Sequence, residues 1–226
     1  MYRLIVTLLA LVIVCTAITA AQSIIGTKHD LSTGGGIADR STNESQVCIF
    51  CHTPHQAGMT ATPLWNHTLS ATTNYGVYTS STLNATPTNI GGGTGTSNLC
   101  MSCHDGTVAV NSIANPSAVG TPVMGSGDEL NTSFQIAPGR TAYLGTSLAN
   151  DHTINFNYTA ALATADHGLF TPTSTNYVDV AQTIPLFGGT GSLQCASCHD
   201  AHSNAHVPFL RVSNNGSALC LKCHDK

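Results

Sequence analysis

Four short segments repeat one arrangement of reactive side chains: Cys48-Ile49-Phe50-Cys51-His52, Cys100-Met101-Ser102-Cys103-His104, Cys195-Ala196-Ser197-Cys198-His199 and Cys220-Leu221-Lys222-Cys223-His224. Two thiols separated by two residues can add to the two vinyl groups along one edge of a porphyrin. The histidine that follows is then placed to bind the central iron from the same side. This is the attachment pattern of c-type haem. It predicts four haem c groups per chain, covalently held by Cys48, Cys51, Cys100, Cys103, Cys195, Cys198, Cys220 and Cys223, with His52, His104, His199 and His224 as proximal iron ligands. One copy of so short a motif arises by accident; four copies using eight of nine cysteines do not. Two other chemistries use paired cysteines. Zinc sites take four thiolates but need no histidine after each pair. Secreted disulfide frameworks seldom repeat one tight spacing. Both account for the motifs less well than haem.

The elements that must carry these residues are short. Gly95-Thr96-Ser97-Asn98-Leu99-Cys100, Gly191-Ser192-Leu193-Gln194-Cys195 and Gly216-Ser217-Ala218-Leu219-Cys220 run from glycine and serine into an apolar approach, and Asp105, Asp200 and Asp225 follow the three histidines. The pattern predicts a repeated unit: a turn, a serine N-cap, then one short helix bearing the motif. Gly91–Gly95 and Gly188–Gly191 read as loops. Residues 105–194 hold no attachment motif and are rich in Val, Thr, Ile, Tyr and Gly, which suggests a few short strands in mostly irregular chain. No long amphipathic helix is evident. The expected fold is therefore mostly coil, with short helices at the motifs, a few short strands and the haems forming much of the core.

Each iron needs a sixth ligand, and seven histidines remain: His29, His55, His67, His152, His167, His202 and His206. Outside the motifs, Met59 and Met124 are the only methionines past the N-terminal segment, so bis-histidine ligation is the expectation. His55 and His202 each stand three residues after a proximal histidine. Residues i and i+3 of a helix share one face, with Cβ atoms about 5–6 Å apart, so the two cannot grip opposite faces of one porphyrin. If His55 and His202 bind iron, each binds a different haem from its neighbour, and one turn clamps two haems. Spacing leaves His29 and His152 open.

Residues 1–21 read as a secretory signal, with Arg3 in the n-region, an apolar run from Leu4 to Ile18 and small residues at Thr19-Ala20-Ala21. The run is shorter than the roughly 20 residues of a membrane span, and Val14 before Cys15 disfavours a lipoprotein anchor. Residues 22–226 are expected to form a single tetrahaem domain. Only 8% of residues are charged, against about 25% in an ordinary soluble protein. The net charge of −4 gives no basis for nucleic-acid or anionic-membrane binding. So little charge leaves little repulsion between copies, which favours self-association.

Lys28–Ser32 (KHDLS), Val47–His55 (VCIFCHTPH), Pro63–Asn66 (PLWN), Leu99–Thr107 (LCMSCHDGT), Asn150–His152 (NDH), Gln194–His202 (QCASCHDAH), Phe209–Arg211 (FLR) and Ser217–His224 (SALCLKCH) together resemble the doubled Cys-x-x-Cys-His cytochromes. Among these the chain is most similar to the OmcE-like tetrahaem extracellular cytochromes that polymerise into nanowires. The resemblance implies distal ligation by His29, His55, His152 and His202. Thr153 stands where that family usually has proline, and Ala201 where proline is common; both bear on local geometry. The resemblance also implies that subunits stack with one iron ligated by a histidine of the next copy, and His29, on an N-terminal arm, is the expected donor. The reading is an electron-transfer protein and not an enzyme, located outside the cell. Its partners would be itself, an upstream periplasmic or membrane electron donor and an extracellular acceptor. A monomeric periplasmic tetrahaem shuttle is the alternative, and a multihaem reductase, which would need one open iron face, is a third.

Overall fold

A computed structural model describes residues 23–57, 64–93 and 95–225; the expected signal segment and Met59 lie outside them. Regular structure is sparse. Among the described residues are three α-helices, α1 (Thr96–His104), α2 (Ala160–Asp166) and α3 (Cys195–Cys198), with 3-10 turns at Val47–Phe50, Asn215–Ser217 and Cys220–Lys222. Two-residue strands β1 (Gly76–Val77) and β2 (Ser147–Leu148) pair in parallel, while β3 (Phe156–Asn157) and β4 (Ser192–Leu193) pair antiparallel. The rest is coil and turn. A chain this rich in Gly, Thr, Ser and Asn offers few uninterrupted runs with a single hydrophobic period. At Gly191 the backbone reverses with φ +81° to enter β4, a conformation that a side chain would strain.

The helical turns coincide with the four motifs, but serine does not cap them as expected. The N-cap of α1 is Gly95 and that of α3 is Gln194, and Ser217 lies inside the preceding 3-10 turn. The serines do other work. Ser197 Oγ accepts from Gln194 N at 3.0 Å, closing a capping box on α3. Ser97, fully buried, donates through Oγ to Gln194 Oε1 at 2.6 Å and accepts from Cys195 N at 3.1 Å, so it joins the start of α1 to the start of α3. Helix α2 was not expected. Its alanines favour helix, and the Thr159 side chain accepts from Leu162 N as a true N-cap.

Apolar side chains gather into three small clusters, each against motif residues. Ile49, Phe50, Val110, Met124 and Ile136 pack with Cys51 and Cys103. Tyr75, Ile90, Met101 and Leu148 surround the second motif. Phe156, Tyr158, Val178, Ile184, Leu186 and Leu193 pack on Leu219 and Cys223 of the fourth. No one cluster is large, and the motifs also receive hydrogen bonds from distant loops.

Candidate metal centres

Each motif is clamped from elsewhere in the chain. Asn66 N donates to Cys51 O at 2.8 Å and its Nδ2 to Ile49 O at 2.6 Å, while Trp65 sets its ring edge-on to His52 at 5.8 Å between centroids. Arg211 grips the third motif, donating from N to Cys198 O at 2.9 Å and from Nε to Ala196 O at 2.7 Å. The fourth is tied by Phe170 N to Cys223 O at 2.8 Å, by Tyr158 Oη to the same carbonyl at 3.1 Å, and by Lys222 Nζ to Asp179 Oδ2 at 3.0 Å.

The histidines meet across long stretches of sequence. The rings of His29 and His104 lie 6.1 Å apart, those of His52 and His202 6.0 Å, and those of His152 and His224 6.3 Å. A metal–imidazole bond is about 2 Å, and a ring centre lies about 1.2 Å from its nitrogen, so two imidazoles on opposite sides of one metal have centres about 6.4 Å apart. All three pairs have that spacing. Among the described residues no group of three or more His, Cys, Asp or Glu is gathered to hold a metal ion. Each pair therefore suits a metal that brings its equatorial ligands with it, as a porphyrin does. The eight described cysteines are free thiols. The donor set fits haem c.

Protonation suits the same use. His104 Nδ1 donates to Ala142 O at 2.8 Å, His199 Nδ1 to Pro208 O at 3.0 Å, and His152 Nδ1 to Thr153 O at 3.0 Å. A hydrogen bond at Nδ1 fixes the tautomer and leaves Nε2 free to bind metal. Burial, then the neighbouring His104, lowers the His29 pKa to about 4, and burial lowers His104 as well, so both rings are neutral near pH 7. Burial also pushes the thiols of Cys51, Cys103 and Cys223 up to about 12. The Cys100 thiol donates to Cys195, which lowers Cys195 to about 7 and raises Cys100. The second and third attachment points therefore touch. Cys51 and Cys103, and Cys198 and Cys220, are also within electrostatic reach of each other.

Of the eight histidines expected to bind iron, six form the three pairs. His55 and His199 are the other two, and both are exposed. The ring of His29, the expected donor to a neighbouring copy, lies 6.1 Å from that of His104 in its own chain and stacks on Phe209 at 4.2 Å. Of the remaining histidines, His67 is buried. It is 4% exposed, with Nδ1 2.8 Å from Thr68 O, Nε2 3.0 Å from Ala109 O and Nε2 3.5 Å from Cys103 Sγ. His167 and His206 are exposed. The clamps by Asn66 and Arg211 were not foreseen as such; the signals available were the PLWN and FLR segments that contain them.

Residues 189–226, which carry the third and fourth motifs, match the family model for the doubled CXXCH motif. The match supports a multihaem c-type cytochrome, which binds haem c covalently and transfers electrons. No curated protein is similar enough to the chain to count as a match.

Proposed function

We propose that this chain is the repeating subunit of an extracellular cytochrome filament and conducts electrons through four covalently bound bis-histidine haems. Bound haem supplies an iron that cycles between ferric and ferrous states, and the protein fixes the ligands and the spacing. His29 and His104, His52 and His202, and His152 and His224 would hold three irons within one chain. The observation that carries the filament is what remains: His199, the proximal ligand of the third motif, and His55, a ligand-type histidine three residues beyond another motif. Both are exposed and outside the three pairs. His55 of one copy completes the His199 centre of the next, so the donor in trans is His55 and not His29.

This contact joins two different surfaces, and head-to-tail contacts that do not close give open filaments. A charge content of 8% leaves little repulsion to overcome. The expected signal segment and this assembly support a position outside the cell, with a periplasmic or membrane donor and an extracellular acceptor at either end of the path. With both faces of every iron occupied, no position would be left for a substrate, which supports electron transfer over catalysis.

Negative-stain electron microscopy of the haem-loaded protein, as wild type and as His55→Ala, tests the reading. Filaments in the wild type and discrete particles in His55→Ala are expected. Wild-type particles that are monomeric by light scattering would favour the shuttle instead.

A further inference from the structure

Aspartate follows three of the proximal histidines, but in different settings. Asp105, after His104, is 1% exposed. Its Oδ1 accepts from Thr107 N and Thr107 Oγ1, both at 2.8 Å, and its Oδ2 from Tyr75 Oη at 2.7 Å and Thr72 Oγ1 at 3.3 Å. On the opposite ligand of the same centre, Asp30 follows His29 and is also 1% exposed. It accepts from Gly26 N at 2.8 Å, Ser32 N at 3.1 Å and Ser32 Oγ at 2.6 Å. Each carboxylate is surrounded by donors, which suits the ionised, acceptor-only form. Among the described residues neither has a Lys or Arg partner; the ion pairs involve Glu129, Asp128, Asp200 and Asp179.

The other centres are different. Asp200, after His199, is offset by Arg211 Nη1 at 3.2 Å, and the same aspartate is the acidic neighbour of His202. Thr53 follows His52. Asp225, after His224, is exposed, and Asp151, before His152, is partly open to water.

We propose that Asp30 and Asp105 make the His29–His104 centre the lowest-potential haem of the chain. Oxidation adds one positive charge to an iron centre, and a fixed buried negative charge stabilises that state more strongly than one screened by water. Two such charges adjoin this centre, each next in sequence to one of its ligand histidines, whereas the carboxylates next in sequence to the other ligand histidines are neutralised or solvated; the buried Asp39 and Glu44 adjoin no ligand histidine in sequence. The order of potentials along the path is then set by the protein: the second haem is a step that electrons must climb. This rests on the proposed sharing of one iron by His29 and His104.

The test is a potentiometric titration of the haem-loaded protein, followed by visible and electron paramagnetic resonance spectra. Asp105→Asn and Asp30→Asn should each raise the lowest midpoint more than any other. At the wild-type lowest midpoint the ratio of reduced to oxidised haem should rise at least tenfold, about 59 mV for a one-electron couple. Arg211→Gln, which uncovers Asp200, should lower a different step. Lowest midpoints unmoved in both asparagine variants would overturn the proposal, and Asp30→Asn alone decides it should Asp105→Asn not fold. His29→Ala separates the two readings. Absence of a new high-spin signal means that His29 does not bind this iron. A high-spin signal at a haem other than the lowest overturns the potential order while leaving the ligation in place.

Discussion

Ser97→Ala is the sharpest single test of how the second and third motifs are held together. Ser97 is fully buried, and its hydroxyl donates to Gln194 Oε1 at 2.6 Å and accepts from Cys195 N at 3.1 Å. The variant removes both bonds. Gln194 Oε1 keeps a weaker one from Ser97 N at 3.3 Å, so the stranded group is mainly the Cys195 amide. One buried unsatisfied donor costs about 1–3 kcal/mol, and the lost side-chain bond adds about 1 kcal/mol, so a loss of about 2–3 kcal/mol is expected. Ser102→Ala is the control. Ser102 is equally buried, but its hydroxyl donates to Leu99 O at 2.6 Å and reaches Cys103, both within its own helix, and its loss should cost about 1 kcal/mol. Guanidinium unfolding of the haem-loaded protein, read by circular dichroism in the Soret band, measures both. A Ser97→Ala loss below about 0.5 kcal/mol, the usual range for neutral surface changes, would refute the reasoning, as would a loss equal to that of Ser102→Ala.

His202→Ala should open the iron face opposite His52, so the reduced protein gains one carbon monoxide site per chain and the wild type none; difference spectra count the sites. Burial tends to raise Asp179, but the Thr183 hydroxyl and Lys222 outweigh it and hold its pKa at about 2, below the usual 3.8. Because the folded value is depressed, the stabilisation is present above about pH 4 and is lost as pH falls toward 2. Lys222→Met should therefore be less stable than wild type by about 1 kcal/mol near neutrality, allowing for solvent screening, and the two unfolding curves should converge on acidification. Gly35→Ala would drive a Cβ into the Asp30 carbonyl, displacing the loop that carries His29. One haem should then lose its low-spin spectrum, and a variant with four low-spin haems would show that this loop does not set the ligand.

What was legible in the sequence depended on near neighbours. The four motifs, the glycine loops at 91–95 and 188–191, and the rule that one turn cannot present two ligands to one iron all follow from residues a few positions apart. The partner of each ring did not follow. That His52 faces His202, or that His29 faces His104, depends on loops folding across much of the chain, and no local periodicity encodes it. Ser97 shows the same limit from another side. Its position near a helix start suggested a cap, but a long-range acceptor, Gln194, took its hydroxyl. Helix α2 was hidden in a stretch rich in threonine and glycine, where composition outweighed the short alanine run that begins after Thr159.

The three histidine pairs also decide what happens when the backbone is cut. They join residues 29 with 104, 52 with 202 and 152 with 224, and each span overlaps the next. With one iron held between each pair, and each haem sewn to its motif, every peptide bond from His29 to His224 lies inside at least one closed loop. On the proposed ligation, a single protease cut anywhere in that range would leave two pieces still fastened together. Spans of 75, 150 and 72 residues are also long enough that each closure removes about 4–5 kcal/mol worth of disorder from the unfolded chain. A protein with hardly any regular secondary structure thus gains its durability from stitching.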